Sequence, residues 1–312
     1  MRHLLVTGGA GFIGSHLCER LLALGFHVTI LDNFNDSYDP LLKRGNIDKA
    51  LQDGNYELIE GDIRDSGLLD CIMKDSKVEA VIHLAAFAGV RRSLENPLEY
   101  VDVDIGGTVN LLEVCKKYNT GKFLFASSSS VYGLNPCPFK ESAPLAVQTS
   151  PYAAAKISGE AYCRTYNHLY GISTVCLRFF TVYGPRQRPD MAIRKFIGSI
   201  REGREISIFG DGSSSRDYTY IDDIVDGIIA AIDLKCGYEA INLGNSIPVD
   251  ILELVTTIEK FLGKKASIVF IPDQPGDVPV TCADISKAWH LLGYKPKVSL
   301  AEGIKTFVDS LN

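Results

Sequence analysis

The stretch VTGGAGFIGSHL, Val6–Leu17, decides the fold. It follows a short apolar run, HLLV, and opens an amphipathic one, so a strand ends where a helix begins. Between them Gly9-x-Gly11-x-x-Gly14 fits the dinucleotide-binding pattern, and Gly8-x-x-Gly11-x-x-Gly14 fits its close variant. Glycines there allow a tight turn and let the backbone approach a pyrophosphate, while the helix N-terminus offers free N–H groups and partial positive charge. The other reading is a glycine-rich turn without a ligand. Against it stands an acid at the right distance: Asp32 ends the second apolar run, HVTILD, 18 residues past Gly14. A carboxylate there would hold the adenosine ribose hydroxyls and repel a 2′-phosphate, which favours NAD over NADP.

Outward from this loop, strand-like and helix-like segments alternate. A helix in GFIGSHLCERLLALG follows the loop, then strands in YELIEGD and EAVIHLAA with a helix over Asp65–Asp75 between them. A longer helix over NPLEYVDVDIGGTVNLLEVCKKY, a strand in KFLFASS, a helix after Pro151 and a strand in STVCLRF complete the first half. Near-continuous apolar strands separated by helices indicate a parallel sheet covered on both faces, an α/β, Rossmann-type, doubly wound fold. From about Phe179 the loops become rich in Gly, Pro, Asp and Arg, as in TVYGPRQRPD, FGDGSSSRDY and IPDQPGDVP. The expected division is an NAD-binding domain over 1–178, with a return at about 219–245, and a smaller C-terminal α/β substrate-binding lobe mainly within 179–312. Ligands of such sheets lie beyond the carboxyl ends of the strands. Asp62 of GDIRD is thus a candidate adenine contact, and the small side chains of Leu84-Ala85-Ala86 would let the cofactor pass. His83 reads as a packed strand histidine.

The 312 residues suffice for one large domain or two modest ones. A net charge of −6 argues against nucleic acid or an anionic membrane as the main partner. The eight cysteines are scattered without a CxxC pair, so they read as reduced thiols rather than disulfides or metal ligands. No apolar run reaches the roughly 18 residues of a membrane helix, and the first strand starts at once without a signal-like segment. The expectation is a cytoplasmic protein with no metal.

In SPYAAAKISGE, Ser150 and Pro151 read as N-cap and first helical residue. Tyr152 and Lys156 then share one helix face. A free tyrosine ionises near 10, so a tyrosine base working near neutrality needs a shift of roughly three units, about 4 kcal/mol. A nearby ammonium, a helix N-terminus and an oxidised nicotinamide all push that way. A surface pair is the alternative; the glycine loop upstream favours chemistry. The four serines of FASSSSVYG end a strand, where they form either a polar loop or a set of hydroxyls facing a sugar or alcohol.

Together TGGAGFIG, GDIRD, HLAA, SSSSVYG and YAAAK resemble the extended short-chain dehydrogenase/reductase family, the nucleotide-sugar epimerases and dehydratases, over essentially the whole chain. Within it, DNFNDSYDPLLKR and FFTVYGPRQRPDMA look like the UDP-glucuronate 4-epimerase group. The resemblance implies a catalytic set of Ser128, Tyr152 and Lys156, with Tyr152 as base and a 4-keto intermediate. It implies NAD contacts at Gly8, Gly11, Phe12, Ile13, Gly14, Asp32, Asn33, Lys43, Asp62, Ile63, Leu84, Ala85 and Ala86, besides Tyr152 and Lys156. A UDP-sugar is expected against Ser128, Ser129, Ser130 and Thr181, with Arg194, Arg216 and Asp277 near the UDP. Arg188 of RPDMA is the expected partner of a sugar carboxylate; a surface arginine is the alternative. NAD would be tightly held and regenerated each cycle, and a homodimer is implied. Phe87 and Arg92 depart from the common AAQAGVRYS, and Thr281 is small where plain-hexose epimerases carry an aromatic, which suits a carboxylate or an acetamido group. UDP-glucose or UDP-N-acetylglucosamine epimerisation therefore stays open. Dehydratases and decarboxylases use an acid near the hydroxyl residue, where this chain has Ser129 and Ser130.

Overall fold

The computed structural model describes residues 1–48, 55–74, 76–145, 147–274 and 276–311. In β1 (His3–Thr7), Leu4 and Val6 enter one apolar cluster and Leu5 the other, so the strand is buried on both faces. It lies in a seven-stranded parallel sheet with β2 (His27–Asp32), β3 (Tyr56–Glu60), β4 (Val78–His83), β5 (Lys122–Ser128), β6 (Ser173–Phe179) and a strand at Tyr238–Leu243. Across the sheet the order is Tyr238–Leu243, β6, β5, β4, β1, β2, β3. The order reverses between β1 and β4, and such a switch point opens a crevice at the carboxyl ends of the strands.

Helices α1 (Phe12–Ala23), α2 (Pro40–Ile47) and α3 (Ser66–Lys74) accompany the first strands. Asp75, the expected end of α3, and Pro275 of the IPDQPGDVP loop lie outside the described residues. After β4 come the short α4 (Val90–Glu95) and α5 (Pro97–Glu99), a π-helical turn at Tyr100–Gly106, and α6 (Gly107–Lys117). The expected long helix is therefore helical over most of its length but widened to a π turn at its middle, and Gly107, just after that turn, packs onto Ile63 so closely that a Cβ would lie 2.3 Å from Ile63 Cδ1. In α7 (Pro151–Tyr170) the Ser150 hydroxyl accepts from the Ala153 N–H, Pro151 holds the first turn, and Gly171 ends the helix at φ +72°.

The later chain builds a second set of elements. β7 (Thr181–Tyr183) is followed by α8 (Ala192–Arg201), β8 (Ile206–Phe209) and β9 (Ser215–Tyr220). α9 (Ile221–Ile232) and β10 (Tyr238–Leu243) return to the large sheet, where β10 pairs with β6. β11 (Pro248–Asp250), α10 (Ile251–Leu262), β12 (Ile268–Ile271), α11 (Ser286–Leu292) and α12 (Leu300–Ser310) finish the chain. β11, β9 and β7 form one small sheet, β8 and β12 another. The apolar cluster containing Leu4 and Leu17 continues through Ile228 to Phe196, Tyr218, Leu254 and Phe307, so both parts of the chain share one core. No described helix is long and apolar enough to cross a membrane.

Candidate active site

A cleft of about 500 Å³ opens at the carboxyl end of the large sheet and is closed on its far side by residues after β6 and β7. One end of it is formed by the glycine loop. Gly8 is at φ +70°, and a Cβ there would lie 2.7 Å from the Ala85 nitrogen; one on Gly14 would lie 2.2 Å from the Gly8 oxygen. The loop is tied to both neighbouring strands, since Gly8 N–H donates to Leu31 O and Leu84 N–H to Thr7 O. Gly11 caps α1 without a side chain, which leaves the first-turn N–H groups of Phe12, Ile13 and Gly14 at the cleft wall.

At the end of β2, Asp32 accepts from Ala10 N–H at 3.1 Å and Phe34 N–H at 2.9 Å. Burial pushes its carboxyl above the ordinary value, against the opposing pull of these N–H bonds and of Lys43. Asn33 donates to Asp62 at 2.9 Å, and the Arg64 guanidinium holds the Asp62 carboxyl down at about 2. Ile63, Leu84, Ala85 and Ala86 continue this wall. Lys43 Nζ, also in the cleft, donates to the backbone and side-chain oxygens of Asn35, each at 2.9 Å.

The serine run, α7 and the start of β7 form the other end. Ser128 Oγ accepts from Ser130 N–H and donates to Ser130 Oγ, both at 3.1 Å, which caps the short 3₁₀ turn at Ser129–Tyr132. Ser129, Ser130 and Thr181 line the same space. Tyr152 and Lys156 enter it from the first turns of α7, with Lys156 Nζ 5.7 Å from the Tyr152 ring centroid. The Tyr100 ring meets that of Tyr152 edge-on at 6.1 Å. Arg188 donates to Asp190 at 3.0 and 2.5 Å and to Ala88 O at 3.1 Å, so its guanidinium is fixed toward the cleft beside Phe87 and Arg92. His83 lies below, between the hydroxyls of Thr7 and Thr108, and burial holds it neutral, down at about 3.

Four residues read from the sequence stand apart from the cleft lining. Arg194 donates to Gln187 O, Arg216 to Ser215 O and Pro279 O, and Asp277 faces Arg91 at 3.9 Å. Thr281, expected to leave room in the sugar pocket, is instead buried against β9, where its hydroxyl accepts from Asp217 N–H.

Other residues were missed. Asp104 is buried behind the cleft, 3.8 Å from Lys156 Nζ, and the signal was available: Asp104, Thr108 and Leu111 share a helix face that is otherwise buried. Asp190, two residues after Arg188, is its carboxylate partner. Arg178, a charge inside the apolar strand STVCLRF, required a partner. It has one in Glu160 of α7, through bonds of 2.8 and 2.7 Å, with Ser127 and Tyr132 completing the network. That pair pins α7 to the sheet two turns after Tyr152.

Residues 4–244 match the model of the NAD dependent epimerase/dehydratase family. The chain is 46% identical to a UDP-glucuronate 4-epimerase of Thermodesulfobacterium geofontis, over 99% of this chain and 96% of that one. It superposes at a TM-score of 0.94 and 42% identity on a UDP-glucuronic acid 4-epimerase of Bacillus cereus solved with UDP-glucuronic acid and NAD, covering 99% and 98% of the two chains. A UDP-glucose 4-epimerase of Thermotoga maritima solved with UDP-glucose superposes at 0.90 with 34% identity and the same coverage.

Proposed function

The chain belongs to the NAD dependent epimerase/dehydratase family, and we infer that it inverts carbon 4 of a UDP-sugar, converting UDP-glucuronate to UDP-galacturonate. The observation that carries the substrate is Arg188. Its guanidinium, braced by Asp190 and Ala88 through Nε and Nη2, shares one cleft with Ser128, Tyr152 and Lys156, where the N–H groups of Nη1 would receive a sugar carboxylate.

The residues present fit NAD. The Gly8 and Gly14 positions leave no room for a Cβ, the open first turn of α1 faces the pyrophosphate path, and Asp32 stands at the ribose end. Asn33, Asp62 and Ile63 would border the adenine, Leu84, Ala85 and Ala86 the middle, and Lys43 the phosphates. When bound, NAD supplies hydride acceptance from sugar carbon 4 and hydride return to its other face. Tyr152 withdraws the 4-hydroxyl proton as carbon 4 becomes a ketone, and gives it back as the alcohol re-forms. Ser128 holds O4 through both half-reactions. Lys156 tunes Tyr152 and holds the nicotinamide ribose. Ser129, Ser130 and Thr181 would contact the sugar, and Arg194, Arg216 and Asp277 would meet the UDP as it spans the cleft rim. Residues 1–178 with 219–245 would form the NAD-binding domain and the rest of 179–312 the substrate-binding lobe. Uncharged hydroxyls at Ser129 and Ser130 oppose the acid chemistry of dehydration.

A homodimer through α5 to α7 fits the exposed Leu98, Val101, Tyr162 and Leu169 on those segments. The eight free cysteines fit a reducing, cytoplasmic setting. The test is incubation with UDP-glucuronate, UDP-glucose and UDP-N-acetylglucosamine separately, following the configuration at carbon 4 and CO2 release. Turnover of UDP-glucuronate without CO2 supports the reading; turnover of UDP-glucose alone overturns it.

A further inference from the structure

Asp104 has a side chain only 1% exposed. Its Oδ1 accepts from Phe87 N–H at 2.8 Å, while Oδ2 is buried without a hydrogen bond and faces Lys156 Nζ at 3.8 Å. The elements packed around it offer little else that is charged. From α7 come Lys156 and Tyr152. From β4 comes His83, neutral through burial and, secondarily, through Lys156. From β5 comes the Phe125 ring, 5.2 Å from Lys156 Nζ. From its own helix comes Tyr100, whose phenol is pushed up by burial and then by Asp104.

A carboxylate with an unsatisfied buried oxygen is costly. An amide of the same shape could accept from Phe87 N–H without bringing a charge, so the geometry favours a use for the charge itself. We propose that Asp104 is a positioning residue of the reaction: its carboxylate anchors the Lys156 ammonium at the cleft floor and offsets part of the positive field that Lys156 presents to Tyr152. Burial holds the Asp104 carboxyl up at about 6, with Lys156 opposing. Near neutrality the offset is therefore in place, and in mild acid, where Asp104 takes a proton, Tyr152 meets the full charge of Lys156. This rests on Tyr152 being the base.

The test reads the tyrosine directly. In the NAD-loaded protein, the near-ultraviolet tyrosinate band lost on Tyr152→Phe is titrated, and the titration is repeated in Asp104→Asn and Asp104→Ser backgrounds. Both neutral variants are expected to move the midpoint lower by on the order of one unit, with the acid limb of kcat/KM moving by the same amount. Asp104→Glu should restore the original midpoint. An unmoved midpoint in either folded neutral variant overturns the proposal, even if activity falls at every pH. If the midpoint moves but no UDP-sugar is turned over, Asp104 keeps this role and the epimerase reading fails.

Discussion

The Lys156 ammonium stands 5.7 Å from the centroid of the Tyr152 ring, one helical turn further along α7. The spacing follows from helix geometry, and the placement in the cleft follows from where α7 begins. Ser150 and Pro151 start the helix at the cleft edge, so its first two turns must carry whatever faces the ligand. The Arg178–Glu160 pair then fixes the helix against the sheet.

The glycine loop gives the first expected outcome. A methyl at Gly14 would meet Gly8 O and Gly9 Cα at 2.2 and 2.7 Å, both backbone atoms that cannot move aside alone. Gly14→Ala should lower stability by about 1–3 kcal/mol and reduce co-purified NAD at least roughly tenfold. Thermal melting and release of the nucleotide on denaturation measure both.

Arg188 should act through substrate rather than through the fold. Losing a charge-assisted pair amounts to about 1.5–3 kcal/mol, so Arg188→Ala should raise KM for UDP-glucuronate roughly 10- to 150-fold. KM for UDP-glucose should change little. Equal losses on both sugars would remove Arg188 from the carboxylate role.

The sheet, the phosphate loop and the Tyr152–Lys156 spacing were legible because each leaves a local mark: apolar runs, glycine intervals, an i, i+4 pair behind an N-cap. The π turn at Tyr100–Gly106 leaves none, since its residues fit an ordinary helix equally well. Asp104 does share a buried face with Thr108 and Leu111, but that periodicity names no partner, and only the fold brings its carboxylate against Lys156. Thr281 failed for a similar reason. Its position depends on hydrogen bonds to β9, through Asp217 N–H to its hydroxyl and its own N–H to Ser215 O, which no spacing rule encodes.

The Arg178–Glu160 pair predicts a stability effect distinct from chemistry. Both side chains are about 5% exposed, so removing one partner strands the other in the core. Glu160→Ala should lower unfolding free energy by about 3–5 kcal/mol, and Glu160→Ala with Arg178→Met should recover part of it. Urea unfolding of the three proteins checks this; a loss under about 1 kcal/mol would contradict it.

Asp104 makes stability depend on pH. Its folded carboxyl titrates at about 6 against an ordinary 3.8. The folded state therefore holds the extra proton between these values, and this group's contribution to stability falls as pH rises through that window. The span of roughly two units corresponds to about 3 kcal/mol. The stability of Asp104→Asn relative to the parent should thus rise by about that amount between pH 4 and pH 7, read from urea unfolding at each pH. A difference independent of pH would show that Asp104 ionises normally.

The most direct measurement follows deuterium placed at carbon 4 of UDP-glucuronate. If Tyr152 moves only the O4 proton and the hydride returns to the carbon it left, the product is UDP-galacturonate with deuterium still at carbon 4, and Tyr152→Phe forms none while keeping its NAD. Loss of the deuterium to solvent, or turnover without inversion at carbon 4, would contradict the account.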